Sequence, residues 1–305
     1  MTHTQRIKRY VQFFGSFAKT LEVLAVWENI KPCARILVYE DDAPKTISYL
    51  RSFPLQVVTA DFKIDLWQSS TASGYSSKGG IIPVSGGEGR KGYLVLYVSK
   101  DLERALAAKA AEQAQDHASL GAALGYPGCC SRFFSHYAQE EQKRHNTFIR
   151  PLLEHSARTG ALGHANHHGA HQFPPAYPFQ NNIFLRAQDI CLLSHIPCSL
   201  DCPKSLEEGN KMMRLLQRYS ASIAQEFGAA LKKGVLVTEE GISILLEGTA
   251  ITGATVSIKA AASPDPFARV LVEQLTRAKA FEALPQGGIL VEEMIYSNYT
   301  FVQFS

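Results

Sequence analysis

Two thiols side by side at Cys129 and Cys130, with two more at Cys198 and Cys202, constrain this chain more than any other feature. Neighbouring Cα atoms lie about 3.8 Å apart across a trans peptide, below the roughly 4.4–6.8 Å that a disulfide spans. The adjacent pair is therefore expected to bond to something other than itself. There are 67 residues between Cys130 and Cys198 and three between Cys198 and Cys202, so the pattern is CC, a long gap, then CxxxC. Four thiols are offered from two segments, LGYPGCCSRFF and SHIPCSLDCPKS.

Six cysteines in 305 residues are too few for a disulfide scaffold, and 46 % hydrophobic content is enough to bury a full core without staples. A reducing cytoplasm is expected, where clustered cysteines more often mean metal or redox chemistry than cross-links. The first thirty residues read as an amphipathic helix carrying Phe13, Phe14, Phe17, Leu21 and Leu24, with Lys19 and Glu22 interrupting the apolar run, rather than as a secretory leader. No apolar run approaches the roughly 20 residues of a membrane span, so no membrane partner is expected. A formal charge of +3 without a Lys/Arg stripe neither argues for a nucleic-acid partner nor excludes one.

The pattern of elements predicts a mixed α+β chain in three regions: an α/β region over 1–120, a helical metal-binding region over 121–232 and a small α+β region over 233–305. ARILVYE, DDAPKTISYLRSF and LQVVTA read as a short βαβ unit, with Pro44 in the first turn of its helix. The Ser/Gly-rich stretch over 69–92 reads as a flexible connection or lid and holds no phosphate-loop motif. GYLVLYVS reads as a buried strand, and KDLERALAAKAAEQAQDHASLGAAL as one alanine-rich helix that ends just before the cysteine pair. Either Pro203 or Ser205 starts the helix after Cys202, and it runs towards Lys232. Beyond it, VLVTEEGISILLEG, ATVSIKA, GGILVEEMIY and YTFVQF are β-patterned, and PFARVLVEQLTRAKAFEAL is helical.

Four thiolates suit an iron–sulfur cluster, and a tetrahedral zinc site needs the same four. Structural zinc usually takes cysteines two to four residues apart, whereas adjacent cysteines can reach two irons of a cubane, so Cys129, Cys130, Cys198 and Cys202 are expected to hold [4Fe-4S], with zinc as the alternative. The N-terminus of a helix at Cys202 favours thiolate there. This spacing resembles the CC…CxxC pattern of assimilatory adenylylsulfate reductases, which bind a [4Fe-4S] cluster. The chain departs from it in having CxxxC and no later cysteine, so the reductase reaction does not carry over. LGYPGCCSRFF, Asn181–Asn182 and HIPCSLDCPKS together resemble a prokaryotic family of unknown function with LGYPxCC and PCSxxC motifs, over roughly residues 92–232. Cys33 and Cys191 read as core residues.

His164, His167, His168 and His171 fall within eight residues. On a helix, His164, His168 and His171 would share a metal-binding face, but Gly163 and Gly169 favour a solvated loop. His195, three residues before Cys198, is a candidate for proton transfer or for supporting the cluster loop, and equally for a structural histidine. Asn182 and Arg186, spaced for one helix face, could hold a carboxylate or phosphate. Lys204 could lower the pKa of Cys202 or sit exposed. The expected function is thus an iron–sulfur metalloenzyme with His195 and Arg186 as catalytic groups, performing sulfur transfer, lyase or redox chemistry on a small anionic molecule. The competing expectation is a non-catalytic binding protein stabilised by a structural four-cysteine zinc site.

Overall fold

The computed structural model describes residues 3–65, 80–83, 91–144, 147–158, 176–284 and 288–305. Among these, helices and antiparallel sheets combine in a mixed α+β fold. The lid expected over 69–92 falls mostly outside the described residues, as do His164, His167, His168 and His171.

The opening helix is two helices, α1 (His3–Phe14) and α2 (Phe17–Trp27). Gly15 breaks the run at φ +61°, and Ser16 caps α2 by accepting from the Lys19 N–H. Next come β1 (Cys33–Tyr39), α3 (Ala43–Arg51), β2 (Gln56–Asp65), β3 (Gly80–Pro83) and β4 (Tyr93–Ser99). The strand order is β1-β4-β2-β3, every neighbour antiparallel. The expected βαβ unit is therefore split: β1 and β2 run the same way, and β4 lies between them. Side chains alternate across this sheet. Ala34, Ile36, Val38, Leu96 and Val98 pack with Val23 and Val26 of α2 and Leu50 of α3, while Cys33, Val95 and Tyr97 cluster on the other face with Ala105 and Ala108.

Those alanines belong to α4 (Leu102–Gln113), which is followed by α5 (His117–Ala123), so the single alanine-rich helix expected here is also two. Gln115 takes a left-handed φ of 56°, and Asp116 restarts the helix by accepting from the Ser119 N–H at 3.0 Å. A tight turn then leads into α6 (Gly128–Lys143). At this turn Gly125 has φ +76°, and a Cβ there would lie 2.5 Å from Pro32 Cδ, so both conformation and space demand glycine.

After α7 (Ile149–Arg158), residues 176–202 form an irregular segment with two short 3-10 turns. The helix expected to place Asn182 and Arg186 on one face is not there. Tertiary bonds hold the backbone instead, and fully buried Leu185 and Leu200 anchor the segment in one cluster with Leu152 of α7. Each such burial is worth about 1.5–3 kcal/mol. Two helices follow, α8 (Pro203–Tyr219) and α9 (Ala221–Leu231), broken where Ser220 caps the second.

The remaining strands are β5 (Gly234–Val237), β6 (Ser243–Glu247), β7 (Ala250–Thr252), β8 (Thr255–Ser257) and β9 (Ala260–Ala262), followed by α10 (Arg269–Ala278). Lys279 ends α10 in a left-handed conformation, and the AFEA expected to continue it is β10 (Ala280–Ala283). The chain closes with β11 (Ile289–Val291), β12 (Met294–Tyr296) and β13 (Thr300–Val302). These strands form two sheets, β12-β11-β10-β8-β7 and β13-β5-β6-β9. Val235 of β5 and Val302 of β13 join the cluster that also holds Leu152, Leu185 and Leu200.

Candidate metal centre

The two cysteine segments converge because two helices start at the same place. Pro127 is the N-cap of α6, and its carbonyl accepts from the Cys130 and Ser131 N–H groups at 2.9 and 3.0 Å, which fixes Cys129 and Cys130 in the first turn. Cys202 is the N-cap of α8, whose first residue is Pro203. Pro203, not a Ser205 cap, therefore starts that helix, and Lys204 is exposed beside it. All four Sγ atoms of Cys129, Cys130, Cys198 and Cys202 lie within 4.8 Å of one another, a group compatible with holding a metal ion. The Cys129–Cys130 and Cys129–Cys202 separations are 3.8 Å, and Cys130–Cys202 is 3.7 Å. Two helix N-termini, each carrying partial positive charge, thus point at one sulfur cluster.

That charge suits thiolates. Contacts from the Cys130 and Cys198 thiols, and then the Ser205 backbone N–H, pull Cys202 far below its ordinary pKa. One thiolate then works against its neighbours: contact with Cys198, then with Cys202, pushes Cys130 far up. For Cys198, contact with Cys130 lowers the value, but Cys202 and burial outweigh it and raise it to about 12. Four sulfurs this close ionise together only around a cation, and an all-thiolate set selects a soft ion such as zinc or iron.

The loop that presents Cys198 and Cys202 is tied down at nearly every residue. His155 Nδ1 donates to the Cys198 carbonyl at 2.6 Å, and because a carbonyl only accepts, the proton sits on Nδ1. The Leu200 N–H donates to Ser156 Oγ at 2.9 Å. Asn181 Nδ2 donates to the carbonyls of Leu200 and Cys202 at 3.0 and 3.3 Å. Arg186 Nη2 donates to the carbonyls of Leu193 and His195 at 2.8 and 3.1 Å. His195 Nε2 lies 2.9 Å from Ser205 Oγ, which lies 3.1 Å from Cys130 Sγ. With Cys130 as a thiolate, Ser205 donates to the sulfur and His195 donates to Ser205. His155 and Ser156 carry no motif of their own in the sequence and Ser205 reads there only as a helix-start candidate, so only the loop they meet identifies their roles.

A cavity of about 310 Å³ adjoins the cysteines. Cys130, Ser131, Ser194, His195, Arg35, Glu112, Gln115 and His117 are its polar and thiol lining, among apolar side chains. Tyr126, from the LGYP turn, lines it too, with its ring 5.2 Å from that of His195 and with Lys31 above its face.

Burial, then the nearby charges of Lys31 and Arg186, depress the pKa of His195 to about 3. The folded value lies below the ordinary 6.5, so the unfolded chain binds the proton first. Its contribution to stability is full above pH 6.5 and shrinks as pH falls from there towards 3, by a few kcal/mol. His195→Asn is expected to flatten this acid limb in unfolding experiments run from pH 7 to 4 with metal content followed in parallel. An unchanged limb would show that His195 is not its source.

Compared with known proteins, the chain matches no family model, no curated sequence and no solved structure. No helix among the described residues is long and apolar enough to cross a membrane.

Proposed function

We propose that the four cysteines bind a single tetrahedral ion, zinc or iron, as a closed structural centre that fixes one wall of a small-molecule binding cavity. The observation that carries this is the sulfur spacing. An ion with metal–sulfur bonds of about 2.3 Å holds tetrahedral thiolates about 3.8 Å apart, the separation found for three of the six pairs. A cubane places each thiolate on a different iron, so its cysteine sulfurs stand farther apart, at roughly 6 Å. The [4Fe-4S] reading of the vicinal pair would thus require the four side chains to spread.

Four thiolates fill a tetrahedral ion and leave no open position, which is the arrangement of structural rather than catalytic sites. In this reading Arg186 and His195 are positioning residues. The guanidinium is turned to backbone carbonyls of the cluster loop rather than to an anion, and the imidazole reaches Cys130 only through Ser205.

Metal and sulfide analysis after anaerobic purification tests the centre. One ion per chain with no labile sulfide is expected; about four irons and four sulfides in a brown protein would overturn it. Chelator competition tests the two supporting residues. Arg186→Ala and His195→Ala are expected to weaken metal binding about 10–100-fold, as loss of groups behind metal ligands typically does. Full metal affinity in both would favour the acid–base or anion-binding roles.

A further inference from the structure

The cavity beside the cysteines is lined from several elements. Phe62 and Ile64 come from β2, Leu120 from α5, Phe134 from α6 and Ile196 from the cluster loop. Its volume, about 310 Å³, is at the lower end of small-molecule sites and holds roughly 10–15 non-hydrogen atoms. Its polar lining includes one carboxylate held by two partners. Arg35 donates to Glu112 through Nε and Nη2, each at 2.7 Å, and Tyr97 donates its hydroxyl to Glu112 Oε2 at 2.7 Å. Arg35 and Tyr97 are cross-strand partners on β1 and β4, so the sheet register itself aims both at α4.

Apart from the cysteine centre at Cys130, the charged side chains of this lining cancel. Arg35 and Glu112 form a bidentate pair, and burial is the first cause lowering the pKa of both His117 and His195, which favours their neutral forms. Behind His195, Lys31 is held by Glu22 and by Ser194 Oγ at 2.9 Å. An anion entering this space would meet Glu112 with its guanidinium already engaged, and a cation would meet Arg35. A carboxylate offers about four lone-pair sites, and the three donors above leave acceptor capacity for one more.

We infer that this cavity binds a small, uncharged, mostly apolar molecule bearing one hydrogen-bond donor, with the donor directed at Glu112 and the apolar body reaching towards Cys130. This rests on the cavity being the working site, as proposed above, and not on which ion the cysteines hold. It departs from the anionic ligand that the sequence led us to expect.

Benzyl alcohol, benzoate and benzylamine share a ring and differ in charge, and serve as probes. Titrated against the full-length metal-loaded chain by saturation-transfer NMR at pH 7.5, benzyl alcohol is expected to bind at least about tenfold more tightly than either ion, because an unpaired buried charge costs more than that ratio. Leu120→Trp and Phe62→Trp, which fill part of the space from two different elements, are each expected to weaken benzyl alcohol binding about fivefold or more with metal content unchanged. Equal or tighter binding of benzoate or benzylamine overturns the ligand class and leaves the cavity reading standing. No binding of any probe, or unchanged binding in both folded variants, overturns the cavity and the binding-protein reading with it. The comparison among probes on the parent chain decides the ligand class even where a variant fails to fold.

Discussion

Cys130→Ser and Cys202→Ser are each expected to purify with little metal and to unfold at markedly lower temperature or denaturant than the parent chain. Binding of a structural zinc ion to four thiolates contributes about 10–16 kcal/mol in small domains, so one ligand in four is worth roughly 3–4 kcal/mol, or more than 10²-fold in affinity. Such a loss is a large part of the 5–15 kcal/mol that holds a typical domain folded. Cys202 should be the most costly: it touches both Cys129 and Cys130, and it is the residue from which α8 starts. Cys129 and Cys198 are only half buried, so their serine variants should keep more of the fold while still losing metal. Cys33→Ser and Cys191→Ser serve as controls. Both are buried, but one faces α4 across the sheet and the other lies near Arg186, outside the sulfur cluster. Metal content by mass spectrometry, with thermal unfolding on the same samples, checks the series; equal loading in all six variants would remove the ligand assignment.

The cysteine cluster was legible in the sequence because ligand chemistry leaves a local signature. Vicinal thiols cannot satisfy each other, and thiols bracketing a turn before a helix start have few other uses. The mixed fold class was legible for a similar reason, since hydrophobic periodicity is written residue by residue. Long-range pairing is not. Nothing in LQVVTA says that Tyr93–Ser99 inserts between it and the first strand, because strand order depends on partners far along the chain. Helix breaks were hidden where capping came from a distance. Ser16 and the N–H groups of Phe17 and Ala18, at the start of α2, all donate to Asp189, more than 170 residues away. Asp189 itself sits at φ 60°, just after the 3-10 turn where an α-helix was expected. The Glu112 cluster at the cavity was invisible for the same cause: Arg35, Tyr97 and Glu112 lie on β1, β4 and α4, and each alone reads as an ordinary strand or helix residue.

Those three residues also give the second large effect. Glu112→Gln is expected to destabilise the metal-loaded chain by about 3–5 kcal/mol, because it leaves the Arg35 guanidinium in a mostly closed space without its carboxylate. The side chains are 17 % and 16 % exposed, so residual hydration puts the value towards the lower figure. Arg35→Met should cost a similar amount for the opposite reason: Glu112 would keep Tyr97 as a donor but lose both guanidinium bonds. The double variant Arg35→Met/Glu112→Leu removes both charges and fills the space with apolar atoms, and is expected to recover most of the loss, since well-packed hydrophobic residues commonly replace a buried ion pair at little cost. A coupling energy of about 2 kcal/mol or more in a double-mutant cycle, from denaturant unfolding with metal content held constant, is the expected signature. Additive losses would mean that the two side chains do not act as a pair. If the cycle closes as expected, the pair is dispensable for stability, and its place in the fold must be accounted for by what it faces. The double variant should then be a folded, metal-loaded protein that no longer prefers benzyl alcohol to benzoate, because Glu112 is the only carboxylate among the described residues that line the cavity.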